Sequence, residues 1–317
     1  MVNTSNRAYA HVFPPDRLTV GLMTPAGQEP GHTADVDTAL RLATEAEQAG
    51  FAALWARDVP LMVPQGSAGI ASAVDDPFVW LTAMAGATSE IVLALGAAVL
   101  PLRHPLHLAK AAMSLDRVSK GRFILGAGSG DRPEEFAAFG AELEARGQVF
   151  AERWMTLRQA LSTEAAHAVS LVEPTHEYPI LPPLSSSIPM LVVGSARQSL
   201  QWIAEHADGW ATYHREATKQ QGRIGLWEQA LAQRSATGSK PFIQSVHLDL
   251  ETNHSAPAQA IELGIRGGSK AIVEYLRRLS AMGVAHVLFN FAANGRSPSD
   301  VIAQIGTHVL PKLERAG

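Results

Sequence analysis

Cysteine is absent from this chain of 317 residues. The absence excludes disulfide bonds, thiolate metal sites and cysteine nucleophiles together. Charge is also sparse, since only 18% of residues are charged, the net charge is −4, and the longest basic run is Arg277-Arg278. Nucleic acid is therefore not expected as a partner, because its phosphates are bound by clustered cations.

Long apolar runs are lacking as well. The longest, Ile91–Leu102, contains Gly96 and Pro101 and falls short of the roughly 20 residues that a membrane span needs. The first 17 residues contain no apolar core of the kind found in signal peptides. We expect a cytoplasmic protein that has no membrane partner.

Histidines with metal-binding spacing are missing too. The 12 histidines are scattered, and no His-x-His occurs. His104 and His107 are three positions apart, but Pro105 leaves His104 outside the helix that follows, so the pair does not share a helix face. No metal site is predicted.

Apolar segments with strand character alternate with helical periodicity along the whole chain, of which 46% is hydrophobic. Between the strands lie helical patterns that begin at Asp35, Pro77, Pro105 and Gln198, among others. The predicted strands are Leu18–Met23, Ala52–Ala56, Ile91–Val99, Phe123–Leu125, Pro189–Val193, Gly209–Tyr213, Phe242–Leu250 and Ala285–Phe291.

Eight strands joined by crossover helices predict an α/β fold, a (β/α)8 TIM barrel with insertions, as one domain over residues 1–317. Residues 1–16 form an N-terminal extension. The segment 170–189 holds five prolines and is predicted to run over one rim of the barrel, while the polar segment 251–268 is a candidate lid. A doubly wound open sheet is the alternative, but the glycines at 126, 128 and 130 lack the Gly-x-Gly-x-x-Gly spacing of a dinucleotide loop.

The strand ends carry the candidate site. Three glycines at alternate positions follow Phe123–Leu125, so backbone amides there can approach a ligand closely. Arg57 and Asp58 end the second strand, where ligands bind in such barrels. The two side chains either orient a substrate and move a proton, or form an ion pair that ties loops together.

A second cluster of hydrogen-bond donors follows the fifth strand, at Val193–Ser199. The side chains of Ser195, Gln198 and Ser199 and the free amides of a helix N-terminus suit a phosphate group, and Arg197 adds a charge. Ordinary serine capping of the helix is the alternative interpretation.

These motifs resemble one known family. The segments Asp76-Pro77-Phe78, Ser119–Gly130, Val193-Gly194-Ser195 and Ala207–Trp210 are similar to those of the bacterial luciferase-like flavin-dependent monooxygenases, and the resemblance extends from Arg17 to Leu313. It implies a (β/α)8 barrel with a cofactor across its C-terminal mouth.

The resemblance also implies a set of cofactor-binding positions. Gly96 and Ala97 would form the bulge beside the flavin ring, where relatives carry a non-proline cis peptide. The other implied positions are Thr24 near the ring, Ser129 and Gly130 near the ribityl phosphate, Gly194 and Ser195 as phosphate-binding amides, and Arg146 as a phosphate-binding arginine.

The chain departs from luciferase itself at the reactive positions. Luciferase carries histidines where Arg57 and Asp58 stand, and its reactive cysteine corresponds to Gly128. Light emission with an aldehyde is therefore not implied, and the catalytic residues of luciferase do not transfer to this chain.

The resulting expectation is a two-component monooxygenase. Reduced FMN from a separate NAD(P)H:flavin reductase would react with O2 to oxidise a small organic substrate, with Arg57 positioning the substrate and Asp58 orienting Arg57 or moving a proton. The resemblance also suggests a homodimer. The alternatives are an F420-dependent hydride-transfer enzyme of the same superfamily and a non-catalytic flavin-binding protein.

Overall fold

Short apolar strands alternate with helices along the chain, and the strands close into a barrel. The computed structural model describes residues 6–26, 33–63, 74–163, 182, 184–234, 238–292 and 294–313. Parallel pairing joins β1 through β7 in sequence, and β10 pairs with both β7 and β1, which confirms the predicted (β/α)8 barrel. The barrel strands are β1 (Thr19–Thr24), β2 (Ala53–Ala56), β3 (Val92–Val99), β4 (Phe123–Gly128), β5 (Met190–Val193), β6 (Gly209–Tyr213), β7 (Phe242–Leu250) and β10 (Val284–Asn290).

The helices begin where the sequence places capping residues. Asp35 and Asp76 accept hydrogen bonds from the first-turn amides of their helices, and Gly50 ends α2 in the left-handed conformation. The helices are α1 (Arg7–Val12), α2 (Val36–Ala49), α3 (Pro77–Ala87), α4 (Pro105–Val118), α5 (Pro133–Ala138), α6 (Arg146–Ala160), α7 (Leu200–His206), α8 (Ala217–Ala232), α9 (Ser269–Ala281) and α10 (Pro298–His308).

Alternation along the strands separates two cores. Leu22, Leu54 and their equivalents face outward into the layer beneath the helices, where they join the larger hydrophobic cluster. Met23 and Trp55, one position further along, belong to a smaller cluster inside the barrel. Because strand side chains alternate with a period of two, this parity decides which residues can reach the mouth.

The N-terminal extension closes the amino-terminal end of the barrel. Helix α1 lies within the predicted extension of residues 1–16 and packs Tyr9, Val12 and Phe13 into the interior cluster. The Tyr9 hydroxyl donates to the carbonyl of Asp208 at 3.2 Å, and Asn6 caps the helix through the Tyr9 amide. The segment is therefore part of the barrel core.

A buried chain of hydrogen bonds continues upward from this helix. The Thr19 hydroxyl donates to the Val12 carbonyl at 2.5 Å and contacts His286 Nδ1 at 2.6 Å, while Trp55 Nε1 lies 3.0 Å from His286 Nε2. Trp55 can only donate, so Nε2 must accept, and the imidazole proton lies on Nδ1. Complete burial lowers the pKa of His286 to about 3, and the ring is neutral.

The arginine of the segment Ser119–Gly130 stabilises the same end of the barrel. Arg122 is 3% exposed, and its guanidinium donates to the carbonyls of Ala85, Thr88 and Ile91. It thereby joins the end of α3 to the start of β3. The first part of this motif is structural, and its glycines reach the opposite end of β4.

The two predicted insertions have different outcomes. The rim excursion at 170–189 lies largely outside the described residues. The candidate lid at 251–268 contains a hairpin of β8 (Gln259–Ile261) and β9 (Gly264–Gly267), and β9 pairs in parallel with the last four residues of β7. This pairing makes the hairpin an extension of the sheet, and its role as a lid stays a prediction. None of the helices in the described part of the chain is long and apolar enough to cross a membrane.

We predict that His286 makes stability depend on pH. The unfolded chain binds a proton near the ordinary histidine pKa of 6.5, whereas folded His286 resists protonation down to about 3. The free energy of unfolding should therefore fall as the pH drops from 6.5, by up to ~1.4 kcal/mol per pH unit from this group. The His286→Gln variant keeps a donor and an acceptor but does not titrate.

Urea unfolding of both proteins between pH 7 and pH 4.5 measures the effect. The wild-type protein should lose stability relative to the variant as the pH falls. Parallel curves would show that His286 is not responsible.

Candidate active site

A bulge in β3 forms one side of the barrel mouth. The register between β3 and β4 shifts between Leu95 and Ala98, and the peptide bond between Gly96 and Ala97 is cis. A Cβ atom on Gly126 would lie 2.2 Å from the Leu95 carbonyl oxygen. Glycine is thus required on the neighbouring strand, and the bulge predicted at Gly96 and Ala97 is confirmed.

Small residues around this bulge leave an open floor. A Cβ atom on Gly96 would lie 3.0 Å from the indole of Trp55, so Trp55 lies directly against this backbone. A Cβ atom on Gly128 would lie 3.3 Å from the Val193 carbonyl oxygen and 3.6 Å from the Ala97 methyl group. The ends of β3, β4 and β5 therefore meet in a surface formed largely by glycine and alanine, with Val193 on the β5 side and Trp55 on the β2 side.

Arg57 faces this floor. Ala53 and Trp55 point inward, and the same parity brings Arg57 to the mouth. Its Nε is buried and has no hydrogen-bond partner among the described residues. Burial lowers the pKa of Arg57, and Tyr213 raises it by a smaller amount. An inward-facing cation whose Nε lacks a partner among the described residues suits the binding of an anionic or strongly polar group.

Of two further mouth residues, Tyr213 could be expected to face the cavity from its place at the end of the sixth strand, whereas the sequence favoured a core role for His247. Tyr213 ends β6, and His247 lies on β7 near Arg57, whose charge adds to the burial that lowers the pKa of His247. Both share the inward parity of Ala211 and Ile243. The inward orientation of Tyr213 and His247 follows from counting along each strand in steps of two from those apolar residues.

Asp58 does not pair with Arg57. Arg103 Nε lies 2.7 Å from one carboxylate oxygen of Asp58, and Arg103 Nη2 lies 2.7 Å from the other. The Val99 amide donates to Asp58 as well, at 3.1 Å, and Arg103 also reaches Asp76 at 2.9 Å. The geometry is that of the structural ion pair, which ties β2 to the end of β3, so the expectation that Asp58 orients Arg57 is wrong.

Thr24 faces away from the mouth. Its hydroxyl accepts a hydrogen bond from Trp80 Nε1 at 3.1 Å and contacts Met84 Sδ at 3.6 Å, both on α3. The side chain therefore packs behind the sheet. Its neighbour Met23 belongs to the interior cluster, and contact of Thr24 with a cofactor ring stays a prediction.

In the loop after β5, backbone amides are free, as the sequence suggested. Two of its polar side chains, however, form hydrogen bonds within the protein. Gly194, Ala196 and Arg197 have positive φ angles, and no acceptor among the described residues contacts the amides of Ser195 and Ala196. Gln198 donates to the Gly147 carbonyl at 2.7 Å, and Ser199 caps α7. The amides of Ser195 and Ala196 are therefore available as donors.

This loop borders a cavity of about 650 Å³ between α7 and α8. Arg215, Lys219 and Arg223 line it together with Gly194 and Ser195. Burial lowers the pKa of Arg223, and the nearby charge of Arg215 lowers it further. An anion in the cavity would relieve that repulsion.

The remaining predicted positions lie around this arrangement. A Cβ atom on Gly130 would collide with Val99 and Phe136, so this glycine fits a tight turn into α5, and Ser129 is buried beside it. Arg146 starts α6 and donates to the Leu143 carbonyl. Its neighbour Gly147 contacts the loop after β5. Direct cofactor contacts of these three residues stay predictions.

The geometry defines a (β/α)8 barrel with an open floor, an inward arginine and an anion-suited loop at its carboxyl end. The family model for luciferase-like monooxygenases matches residues 17–305, and the chain belongs to this family. The family resemblance inferred from the motifs is thereby confirmed.

Individual relatives are similar over much of the chain. An uncharacterized protein of Mycobacterium tuberculosis is 30% identical over 236 residues, 73% of both chains. An F420-dependent hydroxymycolic acid dehydrogenase of the same organism is 33% identical over 180 residues, 55% of this chain and 48% of its own. The oxygenating constituent of 3,6-diketocamphane monooxygenase from Pseudomonas putida, solved with FMN, matches with a TM-score of 0.71 at 15% identity and covers 94% of this chain and 99% of its own.

We predict that Asp58 contributes to stability. The Asp58→Asn substitution leaves Arg103 without its buried partner and should lower the free energy of unfolding by about 2–3 kcal/mol in urea unfolding, a reduced value because Arg103 is partly exposed. The matched control, Glu45→Gln, weakens the exposed Arg41–Glu45 pair and should cost below about 0.5 kcal/mol. Equal losses in the two variants would contradict this role.

Proposed function

We propose that this protein is a flavin-dependent monooxygenase that binds reduced FMN in the barrel mouth and oxidises a small organic substrate with O2. Membership of the luciferase-like family supports an oxidoreductase of this kind. The observation that carries the proposal is the junction of the open floor at Gly96 and Gly128 with the amide loop at Gly194 and Ser195. A planar ring system with a phosphate-bearing chain fits these two features together.

The residues present fit that cofactor. The floor offers backbone and methyl groups to a flat ring, while the amides of Ser195 and Ala196 suit the phosphate. When bound, the reduced flavin supplies two electrons to O2, so that one oxygen atom enters the substrate and the other leaves as water. Arg57 orients the substrate through its guanidinium, whose Nε has no partner among the described residues, and Tyr213 and His247 line the same space.

The partners follow from the same proposal. Reduced FMN would come from a separate NAD(P)H:flavin reductase, and the family resemblance supports a homodimer. The cytoplasmic location rests on the composition of the sequence. Light scattering of the purified protein tests the dimer, and product formation with and without an added reductase tests the supply of electrons.

An anaerobic titration with reduced FMN, oxidised FMN and F420 tests the cofactor. Tighter binding of reduced FMN, followed by oxygen-dependent product formation, is the expected result. Retention of flavin without product from any of a panel of small organic substrates would instead indicate a flavin-binding protein without turnover.

We predict opposite effects of Arg57 on stability and function. The Arg57→Met variant removes a half-buried cation whose buried Nε lacks a partner among the described residues, and it should raise the free energy of unfolding by about 1 kcal/mol. The same change should lower kcat/KM for a polar substrate at least about tenfold, because the orienting charge is lost. Urea unfolding and oxygen-uptake kinetics measure the two effects.

Arg41→Met is the matched control, since Arg41 is exposed and makes only surface contacts among the described residues, with Glu45 in α2 and Ser299 in α10. It should change neither quantity appreciably. If Arg57→Met kept full kcat/KM, Arg57 would have no role in the reaction.

F420-dependent hydride transfer is a second candidate, favoured by the cations around the cavity beside Gly194. Three cations exceed what one phosphate requires, and F420 carries a longer anionic tail than FMN. The resemblance to the F420-dependent hydroxymycolic acid dehydrogenase supports the same alternative. In this case two electrons would move as a hydride between substrate and cofactor, without O2.

A double variant separates the two cofactors. Lys219→Ala with Arg223→Ala removes two of the three cations that line the cavity. If F420 is the cofactor, its Kd should rise at least about tenfold in fluorescence titrations, with a steeper effect at low salt, while the Kd for FMN changes little. Equal effects on both would exclude a tail-specific role.

A further inference from the structure

The charged end of one arginine in the barrel mouth is available to a ligand. Arg57 is half-buried, and among its nitrogens only Nε is both buried and without a partner in the described part of the chain. The accessible part of the guanidinium is therefore its Nη end, whose N–H groups form a planar fork. A carboxylate or a sulfonate matches such a fork with two parallel hydrogen bonds.

The acidic side chains in the wall around Arg57 are bound to other arginines. Both oxygens of Asp58 lie 2.7 Å from nitrogens of Arg103, and the buried Glu135 lies 3.1 Å from Arg132. Burial lowers the pKa of Arg57, and the nearby charge of Arg132 lowers it further. No ion pair joins Arg57 to a carboxylate within the described ranges, so its surroundings favour an incoming anion.

A second side chain that can carry positive charge faces the same space. His247, on β7, has the inward parity of Ile243. In a neutral imidazole one ring nitrogen is only an acceptor, whereas both nitrogens donate once the ring is protonated. An anion held by Arg57 would therefore find an additional donor in protonated His247.

The charge of Arg57 opposes that protonation while the mouth is empty. Burial is the main cause that lowers the pKa of His247, and the charge of Arg57 adds to it. The backbone carbonyl and the charge of Glu262, at the turn of the β8–β9 hairpin, act in the opposite direction, but the Glu262 side chain is exposed to water. A negative group between Arg57 and His247 would cancel their repulsion and raise the pKa of His247.

The strands packed against β7 do not supply this negative group. On β9, Arg266 lies 3.6 Å from Asp249, the next inward-facing residue of β7. The titratable side chains at β6 and β10 are Tyr213, His214 and His286. None of these three is a carboxylate, so a ligand is the natural source of the negative charge.

We propose that the substrate of the mouth is a small organic acid, whose carboxylate or sulfonate is bound by the Nη atoms of Arg57 and by protonated His247, an assignment of substrate class that rests on the function proposed above. As the acid binds, His247 takes up a proton, so that the anion meets two positive groups. The apolar part of the acid lies toward the floor at Gly96 and Gly128.

The probes for this site are para-fluorobenzoate and para-fluorobenzenesulfonate, with the neutral para-fluorobenzamide as the comparison molecule. Fluorine NMR titrations of the full chain measure their binding without turnover, in the presence and absence of oxidised FMN or F420. At least one of the acids should bind about tenfold more tightly than the amide, and the stronger of the two identifies the anion. Equal binding of the amide and both acids would overturn the proposal.

Substitutions of Arg57 test whether the acid binds in the mouth. Arg57→Met should weaken binding of the preferred acid at least about tenfold and change amide binding little, whereas Arg57→Lys keeps the charge and should lose less. The Lys219→Ala and Arg223→Ala double variant is the matched control, because these cations line the separate cavity beside Gly194. Full acid binding in Arg57→Met, or its loss in the double variant alone, would place the acid elsewhere and contradict the assignment.

Proton uptake by His247 gives a pH dependence that a purely structural residue would not produce. Both acids stay ionised between pH 8 and pH 5.5, and their binding should tighten at least about threefold as the pH falls, because bound acid raises the pKa of His247. His247→Gln keeps a donor and an acceptor but does not titrate, so this dependence should disappear. The same pH dependence in His247→Gln would show that another group takes up the proton and that the proposed pair is wrong.

Failure of this assignment is distinguishable from failure of the proposed function. If the acids bind through Arg57 and His247 but no oxygen-dependent product forms from any organic acid, the monooxygenase reaction is wrong and the selectivity of the site stands. If reduced FMN and O2 oxidise neutral compounds while neither acid binds, the reaction stands and the acidic substrate class is wrong.

Discussion

The mouth of this barrel depends on the contact between Trp55 and the backbone of Gly96. The indole lies against the β3 bulge, so it determines how deep a ligand can reach. Below it, His286 accepts from the indole nitrogen and Thr19 joins His286 to α1. The position of the floor is therefore fixed by a column of buried hydrogen bonds that starts at the N-terminal helix, and the neutral state of His286 is the condition for that column.

Charge is distributed unevenly around the mouth. Asp58 is surrounded by donors from Arg103 and Val99, and Arg103 also contacts Asp76, so this wall is electrostatically complete. Arg57, adjacent to Asp58 in the chain, points to the opposite side of the strand and lacks a hydrogen-bond acceptor for its Nε among the described residues. Asp58 and Arg57 therefore have different roles, because side chains alternate along the strand. Asp58 points into the wall, and Arg57 points into the cavity.

Periodicity and capping residues were sufficient to predict the barrel. The eight strands lie where the apolar runs indicated, and Gly50 and Pro77 mark helix ends as expected. Side-chain direction was harder to predict. Thr24 and Met23 are adjacent, and only the three-dimensional register shows that Met23 faces the interior. The partner of Asp58 lies 45 positions further along the chain, a separation at which local patterns carry no information. Helix α1 spans only six residues, which is too short for a helical period to show in the sequence, so its burial could not be inferred.

The column beneath the floor also limits how the mouth can be altered. Trp55, His286 and Thr19 satisfy one another's hydrogen bonds, so their substitution effects will not be additive. A library that varies position 55 alone mostly samples proteins in which a buried imidazole nitrogen has lost its donor. Varying positions 19, 55 and 286 together can change the depth of the floor without leaving a buried group unpaired. Val193 takes part in no such hydrogen-bond network, so it can be substituted on its own. The number of independent choices at this mouth is therefore smaller than the number of residues that line it.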